Sequence, residues 1–196
     1  MRKRPLKLAV LAGGVALAVV PAGLSFAGTT TDASTTPSAA ARADSFTGRL
    51  TVPADLVPPA GNVLSSVFAA RGVQVYTCAN GAWTFLEPAA SLTGLSLSPA
   101  RPATALHFRG PSWESDQDGT LVEGMSPVSA PSQTPDSIPQ LLLTARTTRG
   151  AGVFGGVTYI QRLATSGGVA PATACTGTET TGVPYRAVYR FFKARS

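Results

Sequence analysis

The segment His107-Phe108-Arg109-Gly110-Pro111-Ser112-Trp113-Glu114-Ser115-Asp116-Gln117-Asp118-Gly119-Thr120 holds the densest set of reactive side chains in the chain. With Glu123 it gathers four of the ten acids beside the only histidine and one of the two tryptophans. An imidazole near carboxylates is the raw material of hydrolysis, with His107 as the base and Asp116 or Asp118 orienting it or helping to hold a metal. Oxygen ligands at alternating positions before a glycine also suit a hard cation, so Glu114, Asp116 and Asp118 ahead of Gly119 form a candidate calcium loop. The twelve-residue EF-hand spacing and its closing Glu are absent, and an Asp-Gly turn with solvated acids accounts for the same residues. For binding rather than catalysis, His107, Trp113 and Glu114 offer a ring, a flat face and a charge in one place.

Several chemistries are excluded or weakened by counting. A single histidine rules out His-rich zinc and copper sites. No serine stands in a Gly-x-Ser-x-Gly elbow, which leaves a Ser-His-Asp triad without its usual nucleophile geometry. In the strand-like stretch Leu106-His107-Phe108, a structural hydrogen bond is the ordinary role of a histidine. Gly150-Ala151-Gly152-Val153-Phe154-Gly155 satisfies the dinucleotide-binding spacing. That motif works only where it opens a helix whose N-terminus receives the pyrophosphate, and β-branched Val157-Thr158-Tyr159-Ile160 follows instead. The run therefore reads as a glycine-rich turn or bulge, and no cofactor is expected. Tyr76, Trp83, Trp113, Tyr159, Tyr185 and Tyr189 are candidates for a platform that stacks sugar rings, or for ordinary β-sheet core.

The elements that must position these groups are strands. Val73–Cys78 alternates between faces, Asn80-Gly81 is a hairpin turn, and Ala82–Leu86 is its return strand. Further strands are expected over Thr104–Arg109, Ile138–Thr144, Val157–Leu163 and Tyr185–Phe192. In the last, Tyr185, Ala187, Tyr189 and Phe191 share one face. Val63–Ala70 is a candidate for one short helix, and Ser126–Pro139 with its four prolines is a connector. The 20 glycines and 16 prolines would interrupt any long helix. The expected fold class is all-β: an antiparallel sandwich or partly closed barrel with long Pro/Gly-rich loops and at most one or two short helices.

The N-terminus sets the compartment. Arg2, Lys3, Arg4 and Lys7 precede an apolar run from Leu8 to Val20, and Ser25-Phe26-Ala27 has the small-x-small form of a cleavage site. Residues 1–27 are thus expected to be a signal peptide cut near Ala27, residues 28–45 a disordered Thr/Ser/Ala-rich tether, and residues 46–194 one domain. The leader contributes four of the +6 net charges, and the remaining +2 is too weak for a nucleic-acid surface. No later segment reaches the ~18 apolar residues of a membrane span, so no membrane anchor is expected in the mature chain. Secretion brings an oxidising medium, in which the only two cysteines, Cys78 and Cys175, are expected to form one bridge.

Taken in order, these motifs resemble the DUF3455 family of secreted or periplasmic proteins. The resemblance rests on Gly72–Cys78, Trp83 with Pro88–Leu92, and His107 with Gly110–Glu114 and Asp118-Gly119-Thr120. It continues through Ile138–Leu143, Val157–Arg162, Thr165–Gly168, Ala170-Pro171, Cys175 and Pro184-Tyr185. It covers roughly Leu50 to Lys193 and implies no established activity. The family pattern often carries Trp at Gln140, Asn at Ala164 and an acid at Val188, so a site built on those side chains would be missing here. The resulting expectation is an extracellular binding or structural protein whose partner is a glycan or a small molecule. The alternative is a hydrolase or metal-assisted enzyme using His107 with Asp116 or Asp118.

Overall fold

The computed structural model describes residues 37–195, so the expected leader and residues 28–36 of the expected tether lie outside the described residues. Eight strands follow one another in chain order: β1 (Asn62–Ala79), β2 (Ala82–Leu97), β3 (Ala100–Phe108), β4 (Ser112–Ser115), β5 (Leu121–Ala130), β6 (Gln140–Arg149), β7 (Val157–Gly167) and β8 (Thr180–Ala194). Each pairs antiparallel with the next, and β8 returns to pair with β1, which closes the ring. Of the two expected all-β architectures, the barrel is therefore the one formed, and it is fully closed. A closed ring leaves no sheet edge to be covered. Among the described residues no helix is long and apolar enough to cross a membrane.

Inward and outward positions alternate along each strand. On β1 the inward series is Phe68, Ala70, Gly72, Gln74, Tyr76 and Cys78, and on β8 it is Tyr185, Ala187, Tyr189 and Phe191, the shared face expected for that strand. An eight-stranded barrel is only wide enough to be filled by its own side chains, so large residues face small ones. Phe68, Trp113, Tyr189 and Phe191 occupy the lumen beside Ala70, Ala90, Ala103, Ala105 and Ala187. Gly94 is the extreme case: a Cβ there would stand 2.0 Å from the Val67 carbonyl oxygen and 2.7 Å from Phe68 Cα. The Asn80-Gly81 hairpin forms as expected, with φ of 54° and 81° matching the paired left-handed residues of a type I′ turn.

Two outer layers interrupt the alternation. Helix α1 (Ala39–Thr47), capped by the Ser38 side chain accepting from the Ala41 amide at 3.2 Å, lays Ala43 on Val67 and Leu97. The segment leading into β1, with a 3-10 turn at Ala54–Leu56, buries Leu56 against Leu142 and Leu163.

These layers explain where the expectations for individual segments fail. Val63–Ala70, expected as a helix, is the first half of β1, hydrogen-bonded to β2 on one side and β8 on the other. Phe68 faces the lumen while Val67 lies under α1, so both faces are buried and the strand loses its sequence alternation. The expected tether likewise contains α1, and order begins before Phe46, because Ala43 has an outer groove to fill. In the expected connector Ser126–Pro139, Ser126–Ala130 continue β5. The strand expected from Ile138 begins at Gln140 and runs on to Arg149.

The two ends of the barrel differ. The loop between β6 and β7 turns Val153 and Phe154 into the lumen at one end, where the Phe154 ring lies 4.6 Å from Phe191 and 5.8 Å from Phe68. The opposite end is framed by the β1–β2 hairpin, the β3–β4 turn, the β5–β6 connector and the β7–β8 loop. Cys175 joins that last loop to Cys78 at the end of β1, a disulfide with a Cα–Cα distance of 5.7 Å.

Candidate functional site

The framed end retains a cavity of about 60 Å³ inside the lumen. Gln74 of β1, His107 of β3, Trp113 of β4, Leu141 and Leu143 of β6, Arg162 of β7 and Tyr189 of β8 line it, and Phe85, Pro88 and Pro111 form its rim. Adjacent strands contribute inward residues at the same height, so a polar cluster forms from positions far apart in sequence.

His107 and Trp113 are directly paired across β3 and β4, which stacks their rings at 4.3 Å with only 4° between the planes. Tyr189 meets the His107 ring edge-on at 5.2 Å. The imidazole is 3% exposed, and its Nδ1 lies 2.8 Å from the Ser112 carbonyl oxygen. A carbonyl only accepts, so Nδ1 carries the hydrogen and Nε2 keeps its lone pair. Burial is the main cause that drives this histidine down to about 3; the Ser112 bond opposes the shift and the Arg162 charge adds to it. The ring is neutral across the physiological range and is a poor proton acceptor.

Arg162 brings the charge. Its Nε and Nη2 donate to the Pro139 carbonyl at 3.1 and 2.9 Å, and it forms no ion pair among the described residues. Tyr189 and Tyr185 place their hydroxyls 3.5 Å apart, and burial raises both phenols above their ordinary value while the Arg162 charge opposes. Gln74 is 3% exposed, and among the described residues neither its Nε2 nor the Trp113 indole N–H has a hydrogen-bond partner.

The acids expected beside His107 are placed elsewhere, on the outer face and in the β4–β5 turn. Glu114 pairs with Arg149 at 3.5 Å, Glu123 with Arg146, and Asp116 accepts from Thr104 Oγ1 at 2.5 Å. Asp118 works at the opposite end of the barrel. Its carboxylate accepts from the Thr120 amide at 3.1 Å, the Thr120 hydroxyl at 2.6 Å and the Val153 amide at 3.1 Å. Burial would raise this carboxyl, but the bonds from Thr120 and Val153 outweigh it and hold it down at about 2. The same Thr120 hydroxyl accepts from the Phe154 amide at 3.1 Å, so Asp118 and Thr120 fasten the loop that seals the barrel. That loop is the glycine run 150–155, and strand β7 follows it.

The geometry thus brings His107 and Trp113 together and separates both from Glu114, Asp116 and Asp118. Among the described residues no group of three His, Cys, Asp or Glu side chains is placed to hold a metal ion. The aromatic candidates also divide: Tyr76, Trp113, Tyr185 and Tyr189 are buried in the lumen, whereas Tyr159 packs under the outer segment at Leu56 and Trp83 stands in the β1–β2 hairpin.

A model of the family described as "Protein of unknown function (DUF3455)" matches residues 59–193, which spans the barrel from the start of β1 nearly to the end of β8. The chain belongs to the DUF3455 family. Neither the curated proteins nor the solved structures include a match to it. Gln140, Ala164 and Val188, the positions where the resemblance leads one to expect other side chains, lie outside the cavity. Gln140 is buried and bridges the Pro131 carbonyl and the Ala164 amide. Ala164 sits at φ 47° in β7, a left-handed conformation that favours Asn or Gly. Val188 packs on the outside with the α1 cluster. None of the three lines the pocket.

Gln74 and Arg162 fall inside the stretches Gly72–Cys78 and Val157–Arg162 that carry the resemblance, but neither was expected as a site residue. The available signal was parity: Gln74 falls in the inward series of β1, and Arg162 stands two residues after inward Ile160. A polar residue on an otherwise core face is the mark of a site.

Proposed function

We propose that this DUF3455 protein is exported and binds a small molecule in the mouth of the barrel without transforming it. The observation that carries the reading is the Gln74 amide, whose Nε2 is buried beside the cavity without a partner. Leaving such a donor unmet costs about 1–3 kcal/mol, and a ligand acceptor would offset it. A rigid ring supports the same reading, since one end is sealed by Phe154 and the other presents polar groups on an apolar wall. Export is supported by the leader-like residues 1–27 and by the Cys78–Cys175 bond, a linkage at home in oxidising compartments. The hydrolase reading draws no support from the geometry, because burial makes His107 a poor proton acceptor and Asp116 and Asp118 bond elsewhere.

The test is a fragment screen of charged and neutral compounds at millimolar concentration, read on the Trp113 indole N–H resonance. Binders should shift that resonance in the native chain, and filling the cavity by Leu141→Trp should abolish the response. A screen in which no fragment moves it, or in which Leu141→Trp responds equally, overturns the binding reading. For export, the protein recovered from the medium should begin at Gly28. Recovery of the uncut chain from the cell interior with both thiols reduced overturns that half.

A further inference from the structure

We infer that the ligand of this pocket is a small organic acid, with its carboxylate held by Arg162 and Gln74. The inference rests on the binding reading above and adds the chemical class of the ligand. It starts from charge. Arg162 is the one ionised group lining the cavity, and no Asp or Glu lines it. It lines the cavity together with Gln74, His107, Trp113 and Tyr189. Its bonds to the Pro139 carbonyl fix the guanidinium in place but leave its charge without a counter-ion among the described residues. A guanidinium presents five N–H donors in a planar fork, and the Pro139 contact engages only part of that fork.

The second observation is independent of charge. The Gln74 Nε2 is a donor, 97% of its residue surface is hidden (3% exposed), and it lacks an acceptor. The neutral His107 adds no second positive charge, so the site offers a single cation beside the Gln74 and Trp113 donors. That set fits a monoanion with two oxygens better than a dianion. The apolar wall of Leu141 and Leu143 and the rim at Phe85 and Pro88 fit the carbon part of the same molecule. A cavity of about 60 Å³ limits the enclosed part to a few non-hydrogen atoms.

The test compares sodium propionate with propionamide, which has the same size and no charge, on the native chain and on Arg162→Gln and Arg162→Lys. Propionate should shift the Trp113 indole N–H and the Gln74 side-chain amide resonances at least tenfold more tightly than propionamide. Arg162→Gln should remove that preference, and Arg162→Lys should keep part of it. If Arg162→Gln fails to fold, the native comparison and Arg162→Lys still decide. Equal binding of the two probes overturns the organic-acid inference and leaves small-molecule binding intact. Absence of propionate binding also overturns it, whereas the binding reading falls only if the whole neutral and charged fragment set is silent.

Discussion

Burial of His107 makes the folded protein sensitive to mild acid, and the chain is suited to an unusually clean measurement of it. The native imidazole titrates at about 3 against an ordinary value of 6.5, chiefly because it is buried. As pH falls below 6.5 the unfolded chain takes up the proton and the folded chain refuses it. The unfolded state then binds more protons, so stability falls with pH. The contribution is present in full above 6.5 and is lost as pH drops towards 3. One pH unit inside that window is worth about 1.4 kcal/mol, so about 2 kcal/mol should disappear between pH 7 and pH 5. Between pH 7 and 5 no second histidine and no free thiol adds to the slope, because the chain has one histidine and its two cysteines are bonded. Urea unfolding at fixed pH values reads the effect directly, and His107→Phe, a ring of similar size that cannot ionise, should flatten the slope. If that variant does not fold, the His107 Cε1–H resonance of the native protein should remain that of neutral imidazole down to pH 5. A stability profile flat from pH 7 to 5, or an imidazole that titrates near 6.5, would refute the burial argument.

The remaining expectations concern the supports of the pocket. Cys78→Ser opens a loop of 97 residues, and the chain-entropy model sets its stabilisation at about 4–5 kcal/mol; an unchanged thermal midpoint would remove the bridge from the scaffold. Ala164→Asn should raise stability by about 0.5–1 kcal/mol, since a left-handed φ of 47° suits Asn better than Ala; denaturation at or below the native midpoint counts against it. Asp118→Ala should cost about 1–3 kcal/mol and speed hydrogen exchange at the Val153 and Phe154 amides, while exchange unchanged there would mean the seal is held by packing alone. Millimolar calcium and a chelator should both leave the thermal midpoint where it is, because Glu114, Asp116 and Asp118 bond to separate partners; a rise with calcium would restore the cation loop.

The all-β class, the hairpin at Asn80-Gly81 and the inward face of β8 were legible because they depend on local signals, namely turn chemistry and period-two alternation. Closure of the ring was not, since it is decided by the β8–β1 register, a pairing of the last strand with the first. The site was half legible. His107 and Trp113 were found by composition and meet because β3 and β4 pair them directly. The acids were misleading: they sit one to ten residues beyond Trp113 in sequence, yet strand parity sends Glu114 to the outer face and the β4–β5 turn carries Asp118 towards the sealed end. Sequence proximity predicts spatial proximity only within a turn, whereas a barrel assembles its sites across strands.

The contrast between the arginines is what makes the mouth of the barrel hard to explain as packing. Arg101, Arg109, Arg146 and Arg149 lie in or beside strands on the outer surface, and each pairs with a carboxylate there, Asp118, Glu87, Glu123 and Glu114 respectively. Exposed pairs of that kind contribute about 0–1 kcal/mol each and could be replaced with little consequence. Arg162 lines the cavity instead, and there it has the Pro139 carbonyl for company and no acid among the described residues. The opposite end shows that this barrel fills a lumen with hydrocarbon when filling is all that is needed, since Phe154 and Phe191 close it. At the other end an unpartnered amide opposes stability locally, and beside it an inward cation has no counter-charge among the described residues. A bound anion is the simplest molecule that satisfies both at once.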